Sequence, residues 1–132
     1  MDMNKISHQK QILIIEDNDT LRNLLFSWLT ELLPECEIHT AATGKRGLNY
    51  AKLIKPEIVV VDIKLPDIDG IQVTKEIKKY EFKTDVIVLT IFDGINYQRD
   101  AYNAGAKSFV YKKDIYIKLP LEIISILDLQ RN

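Results

Sequence analysis

Three unbroken apolar runs constrain this chain more than anything else in it: ILII at 12–15, IVVV at 58–61 and VIVL at 86–89. A strand with one wet face alternates apolar and polar residues. A run without alternation suits a strand covered on both faces, as in a parallel sheet. With two further runs, the predicted strands are Gln11–Ile15, Cys36–Thr40, Glu57–Val61, Asp85–Leu89 and Ser108–Tyr111. The run around Ile38 is mixed in polarity, which predicts an edge strand.

Segments of helical length lie between the runs. Asp19–Leu33 places Leu21, Leu25, Trp28, Leu29 and Leu32 three and four residues apart, one face of a helix, and Pro34 helps to stop it. Thr43–Ile54 carries Leu48, Ala51, Leu53 and Ile54 and runs up to Pro56. Gly70–Tyr80 sets Ile71, Val73 and Ile77 among charged residues, and Asn96–Ala104 ends at Gly105, a common helix stop. Pro120–Leu129 begins with proline near its first helical position. Strand and helix alternate five times, which predicts an α/β domain: a doubly wound, five-stranded parallel sheet with helices on both faces. Residues 11–130 read as this one domain, and residues 1–10 as a loose arm.

Composition excludes several classes. The 132 residues bring 18 Lys and Arg against 19 Asp and Glu, a net charge of -1, which argues against a general nucleic-acid binder. No apolar run approaches the roughly 20 residues of a membrane span, and MDMNKISHQK lacks the apolar core of a secretory signal. Cys36 has no cysteine to pair with, and with His8 and His39 it cannot complete a four-ligand His/Cys zinc site. A reducing, cytoplasmic setting is expected.

The functional signal lies in the residues just past the end of each run. ILII leads to Glu16 and Asp17, IVVV to Asp62, VIVL to Thr90, and FVY to Lys112. In a parallel sheet all C-terminal strand ends share one edge, so three carboxylates, a hydroxyl and an ammonium converge on the rim where open α/β sheets bind ligands. The carboxylates repel one another unless a hard cation such as Mg²⁺ offsets them. Lys112 and Thr90 suit a phosphoryl group, and a carboxylate can itself accept one as an aspartyl phosphate.

At these residues the chain resembles the receiver domains of bacterial two-component response regulators. IIEDN (14–18), VDIKLPDIDG (61–70), VLT (88–90) and AGAKSFVYKK (104–113) carry the likeness, in the family's order and each at a strand end. The resemblance implies the CheY-like sheet order 2-1-3-4-5. It also implies Asp62 as phosphoacceptor, and Glu16, Asp17, Asp62 and the backbone carbonyl of Lys64 around Mg²⁺. Thr90 matches the switch hydroxyl, Lys112 the phosphate-contacting lysine and Phe109 the aromatic switch position. The implied donor is a phosphohistidine on a sensor histidine kinase or phosphotransfer protein. The expected output is a switched protein surface rather than metabolic catalysis, with possible homodimerisation and no direct contact with DNA or membrane. Lys113 in place of the common proline, with the AGAKSFVYK wording, looks like the NarL/LuxR-type subgroup.

Other readings stand beside these. Asp17 could simply cap the first helix, and Phe109 could be plain core. Ile91, bulky where a small residue is usual, leaves room for a receiver-like interaction module that works without phosphate. Asp67-Ile68-Asp69 has the D-x-D form of a phosphatase metal pair, but its place in the loop favours a turn. The acidic loop after the first strand lacks the glycines of a nucleotide cradle. His39 reads as a strand surface residue and Cys36 as packing. Leu121, Ile123, Ile124, Ile126, Leu127 and Leu129 cover more than one helical face, and Leu24, Phe26 and Leu33 lie off the first helix's stripe; either a second contact or scattered apolar residues would account for them.

Overall fold

The computed structural model describes residues 9–81, 83–91 and 94–131, so most of the expected N-terminal arm, residues 1–8, lies outside the described residues. The strands are β1 (Lys10–Ile15), β2 (Cys36–Ala41), β3 (Ile58–Asp62), β4 (Asp85–Thr90) and β5 (Ser108–Tyr111). The helices are α1 (Asp19–Leu32), α2 (Gly44–Ile54), α3 (Gly70–Tyr80), α4 (Ile95–Ala104) and α5 (Ile115–Arg131). All strand pairs are parallel, in the order β2-β1-β3-β4-β5, with the mixed strand β2 at one edge as expected. β3 and β4 extend one residue further than the apolar runs suggest, so Asp62 and Thr90 are the last residues of strands rather than the first of loops.

Successive strand residues point to opposite faces, and here both faces are dry. Ile12, Ile14, Ile58, Val60, Ile87 and Leu89 pack with Leu25 and Leu29 of α1 and with Leu119 and Ile123 of α5. Leu13, Ile15, Val59, Val61, Val86 and Val88 pack with Ala51 of α2, Val73 and Ile77 of α3, and Ala101 of α4. Two separate cores explain why the runs carry no alternation.

α5 departs from the sequence expectation. It starts at Ile115, after a 3₁₀ turn at Lys112–Asp114, and Pro120 lies inside it rather than near its first position. An interior proline withdraws the N–H that would close on the carbonyl of Tyr116 and costs roughly 3 kcal/mol. Ile115, Leu119 and Ile123, four residues apart, are sunk in the core. At about 1.5–3 kcal/mol each, their burial outweighs the proline.

Part of the surplus apolar surface is real: Ile117, Leu121 and Ile124 of α5 are exposed, as are Leu24 and Phe26 of α1. Leu33 is not part of it, being buried at the end of α1. Cys36 is buried packing. His39 is not the surface residue expected: it is half-buried, its Nδ1 2.8 Å from the Tyr50 hydroxyl and its Nε2 2.8 Å from Gln11 Oε1.

α2 lies so close to β1 that a Cβ on Gly47 would overlap Ile15 Cδ1 and sit 2.7 Å from its Cγ1. Alanine is the better helix former, yet Gly47→Ala is expected to cost about 1–3 kcal/mol through overpacking. Urea denaturation measures this; a neutral or stabilising result would show that Ile15 moves aside freely.

Candidate functional site

The C-terminal edge of the sheet brings Glu16, Asp17, Asp62, Thr90 and Lys112 together. Glu16 comes directly after β1 and extends its ladder, its N–H donating to Ala41 O at 3.1 Å. Its side chain is fully buried. Asn18 N–H donates to Glu16 Oε2 at 3.1 Å. Asn18 also caps α1, its Oδ1 accepting from Leu21 N–H at 2.8 Å. The capping role considered for Asp17 therefore belongs to Asn18, and Asp17 stands exposed at the rim. Arg22, one turn into α1, donates to Glu16 O at 3.0 Å and pairs with Asp19 at 2.6 Å, holding the acidic loop to the helix.

Asp62 is 5 % exposed, and the Lys64 N–H donates to its Oδ1 at 3.3 Å. The Lys112 ammonium donates to Asp62 Oδ2 at 2.9 Å and lies 2.7 Å from Glu16 Oε1. The second contact is an ion pair off the hydrogen-bond direction, since Oε1 has no aligned donor. Oxygens of Glu16, Asp17 and Asp62 lie within 4.8 Å of one another. Three acids thus share a rim where one ammonium bridges two of them.

The charge balance shifts the proton affinity of these groups. Burial is the largest influence on Glu16 and raises its carboxyl above the ordinary 4.5; the Lys112 and Asn18 contacts lower it without reversing the shift, and Asp62 raises it further. Burial alone would depress Lys112, but Glu16 and Asp62 hold it above 10.5. An all-oxygen donor set with excess negative charge and a poorly satisfied buried oxygen fits a hard dication such as Mg²⁺.

Thr90 ends β4, fully buried, and is in register with Tyr111 of β5. Beside it a cavity of about 310 Å³ is lined by Thr90, Ile91, Tyr111 and Lys113. Ile91 is 71 % exposed at its mouth. Phe109, half-buried, packs on the α2–α3–α4 side of the sheet and meets Tyr111 edge-on at 5.3 Å.

The D-x-D pair is structural. Asp69 caps α3, accepting from Gln72 N–H at 2.9 Å, and Asp67 accepts from Gly44 and Lys45 N–H at 2.9 and 2.8 Å. Their carboxylates serve two different helix ends. Sequence reasoning missed Asn18 and Arg22. An Asn before a helical run is a capping signal that was legible, whereas Arg22's reach back to the Glu16 carbonyl was not.

The chain matches the response regulator receiver domain over residues 12–118, and it belongs to that family. It is 32 % identical over 120 residues to the regulatory protein AtoC of Escherichia coli (strain K12), covering 91 % of this chain but only 26 % of AtoC. It is 32 % identical over 122 residues to the chemotaxis protein CheY of Halobacterium salinarum, covering 90 % of this chain and 92 % of that one. Among solved structures, a LuxR-family two-component response regulator from Aurantimonas sp. SI85-9A1 superposes with a TM-score of 0.83 at 26 % identity, covering 89 % of this chain and 84 % of the other. The family accepts phosphoryl groups in two-component signalling, binds Mg²⁺ at an acidic pocket, and works with histidine kinases or phosphotransfer proteins. No helix among the described residues is long and apolar enough to cross a membrane.

A group whose pKa is raised by folding stabilises the fold below its unfolded value and loses that contribution as pH climbs through the folded one. Without metal, Glu16 therefore lowers stability as pH rises from 4.5 through its raised folded-state pKa. Glu16→Gln is expected to remove that fall, so its melting temperature gains on the wild type across this window. Parallel melting profiles for the two proteins would contradict it.

Proposed function

We propose that Asp62 is the phosphoacceptor of this receiver domain, with Glu16, Asp17, Asp62 and the Lys64 carbonyl holding Mg²⁺. Thr90 and Lys112 are the groups that bind the phosphoryl oxygens. The observation that carries this reading is the Lys112 ammonium 2.7 Å from Glu16 and 2.9 Å from Asp62, beside acid oxygens within 4.8 Å of one another.

An Asp62 oxygen attacks the phosphorus of a phosphohistidine on a sensor histidine kinase or phosphotransfer protein. The P–N bond breaks, its electron pair stays with the imidazole, and an acyl phosphate forms on Asp62. Bound Mg²⁺ supplies charge neutralisation at the acids and the phosphoryl oxygens. Lys112, already within reach of Asp62, shifts from the carboxylate to the new anion, and the Thr90 hydroxyl donates a second hydrogen bond. Burial at the strand ends keeps these groups in place and limits hydrolysis by bulk water.

Phosphorylation of Asp62 draws Thr90 towards the phosphoryl group and lets Phe109 repack, and the surface built by α4, β5 and α5 changes its partner. The domain, taken as residues 11–130, would work in the cytoplasm and control transcription through an attached or partner effector, without touching DNA itself. The LuxR-family neighbour supports placement in the NarL/LuxR subgroup. The exposed ridge Ile117, Leu121 and Ile124 supports a homodimer.

Incubation with Mg²⁺ and acetyl phosphate is expected to add a single phosphoryl group, read by intact-protein mass. Asp62→Asn and excess chelator should each abolish uptake. Equal uptake by Asp62→Asn would overturn the assignment.

A further inference from the structure

Residues 63–69 form the loop between β3 and α3; it starts directly after Asp62 and carries Lys64. Backbone bonds fix its ends: Ile63 N–H donates to Leu89 O at 3.0 Å, and Gly70 N–H to Ile63 O at 2.7 Å. Gly70 is pressed against the Asp62 carbonyl so closely that a Cβ there would overlap it. The middle of the loop has a different anchor. Asp67 accepts from the N–H groups of Gly44 and Lys45, two helical positions more than twenty residues away in sequence. Ile68 leans on the same helix end, where a Cβ on Gly44 would come 2.5 Å from Ile68 Cγ1.

A helix begins with four N–H groups that have no partner inside it. In α2 the first intrahelical bond runs from Gly47 N–H to Thr43 O, and Thr43 Oγ1 takes the Arg46 N–H that precedes it. Asp67 takes the N–H groups of Gly44 and Lys45. Capping of α2 is thus divided between its own cap residue and the loop of the candidate site, and the helix dipole favours a carboxylate there.

We propose that Asp67 is a positioning residue for the acceptor site: by gripping the N-terminus of α2 it fixes the loop that follows Asp62 and presents the Lys64 carbonyl to Mg²⁺. This rests on the reading of Asp62 and its neighbours given above. Asp67 touches neither cation nor phosphoryl group; it acts through the loop. Ligands held in place before the cation arrives bind it more tightly than ligands that must be ordered on arrival. Slight burial would raise the Asp67 carboxyl, but the Lys45 and Gly44 N–H groups hold it below its ordinary value, so the grip persists at neutral pH.

The test is calorimetric titration of Mg²⁺ into the metal-free protein, with thermal melts alongside, for wild type, Asp67→Asn, Asp67→Ala and Thr43→Ala. Asp67→Ala should weaken Mg²⁺ binding by about tenfold. Asp67→Asn, which keeps one acceptor, should weaken it less, and it carries the test if the alanine variant does not fold. Thr43→Ala removes a cap from the same helix without touching the loop; it should lower the melting temperature and leave Mg²⁺ affinity unchanged. Wild-type affinity in both Asp67 variants, or an equal loss in Thr43→Ala, would overturn the inference while leaving the site's reading intact. If the wild type itself binds no Mg²⁺, the reading of the site fails and the inference fails with it.

Discussion

One ammonium between two buried acids governs the architecture of this rim. Lys112 reaches Glu16 from the end of β5 and Asp62 from the far side of β4, so a single side chain ties the ends of β1, β3 and β5 together. The arrangement is incomplete as a charge balance. Burial keeps Glu16 above its usual carboxyl range even with Lys112 beside it, and Asp17 adds a third acid within reach. Removing charges from water costs more than one shared cation returns. The rim therefore carries a standing demand for positive charge, which a dication would meet and a phosphoryl group would alter.

The fold supplies the precision this demands. Five parallel strands, the three central ones buried on both faces, place their C-terminal ends on one line, and the packed layers leave little room to shift. The groups that must stay fixed, Glu16, Asp62 and Thr90, sit at strand ends and are buried. Asp17 and Ile91 sit on loops and are exposed. Helix ends then secure the loops: Asn18 and Arg22 hold the acidic loop to α1, and Asp67 ties the β3–α3 loop to α2.

Much of this was legible in the sequence because the signals were local. Unbroken runs such as IVVV announce strands buried on both sides, and parallel topology turns the positions just past those runs into a shared rim. Membership of the receiver family rests on the same blocks. The features that were not legible depended on contacts between distant segments. Pro120 reads locally as a helix start, but the burial of Ile115 and Leu119 carries the helix five residues further back. His39 reads as a surface residue because its partners, Gln11 and Tyr50, come from other elements. Asp67 reads as a turn residue, and its grip on the Gly44 and Lys45 N–H groups emerges only once α2 is folded beside it.

The most direct measurement of the central claim is a crystal structure of the protein grown with Mg²⁺ and beryllofluoride. The account predicts beryllium bonded to an Asp62 oxygen, the cation against Asp17 and Asp62, and the Lys112 ammonium turned onto fluoride. A bare Asp62 carboxylate at full ligand concentration, still bridged to Glu16 by Lys112 and with no density between the acids, would contradict it.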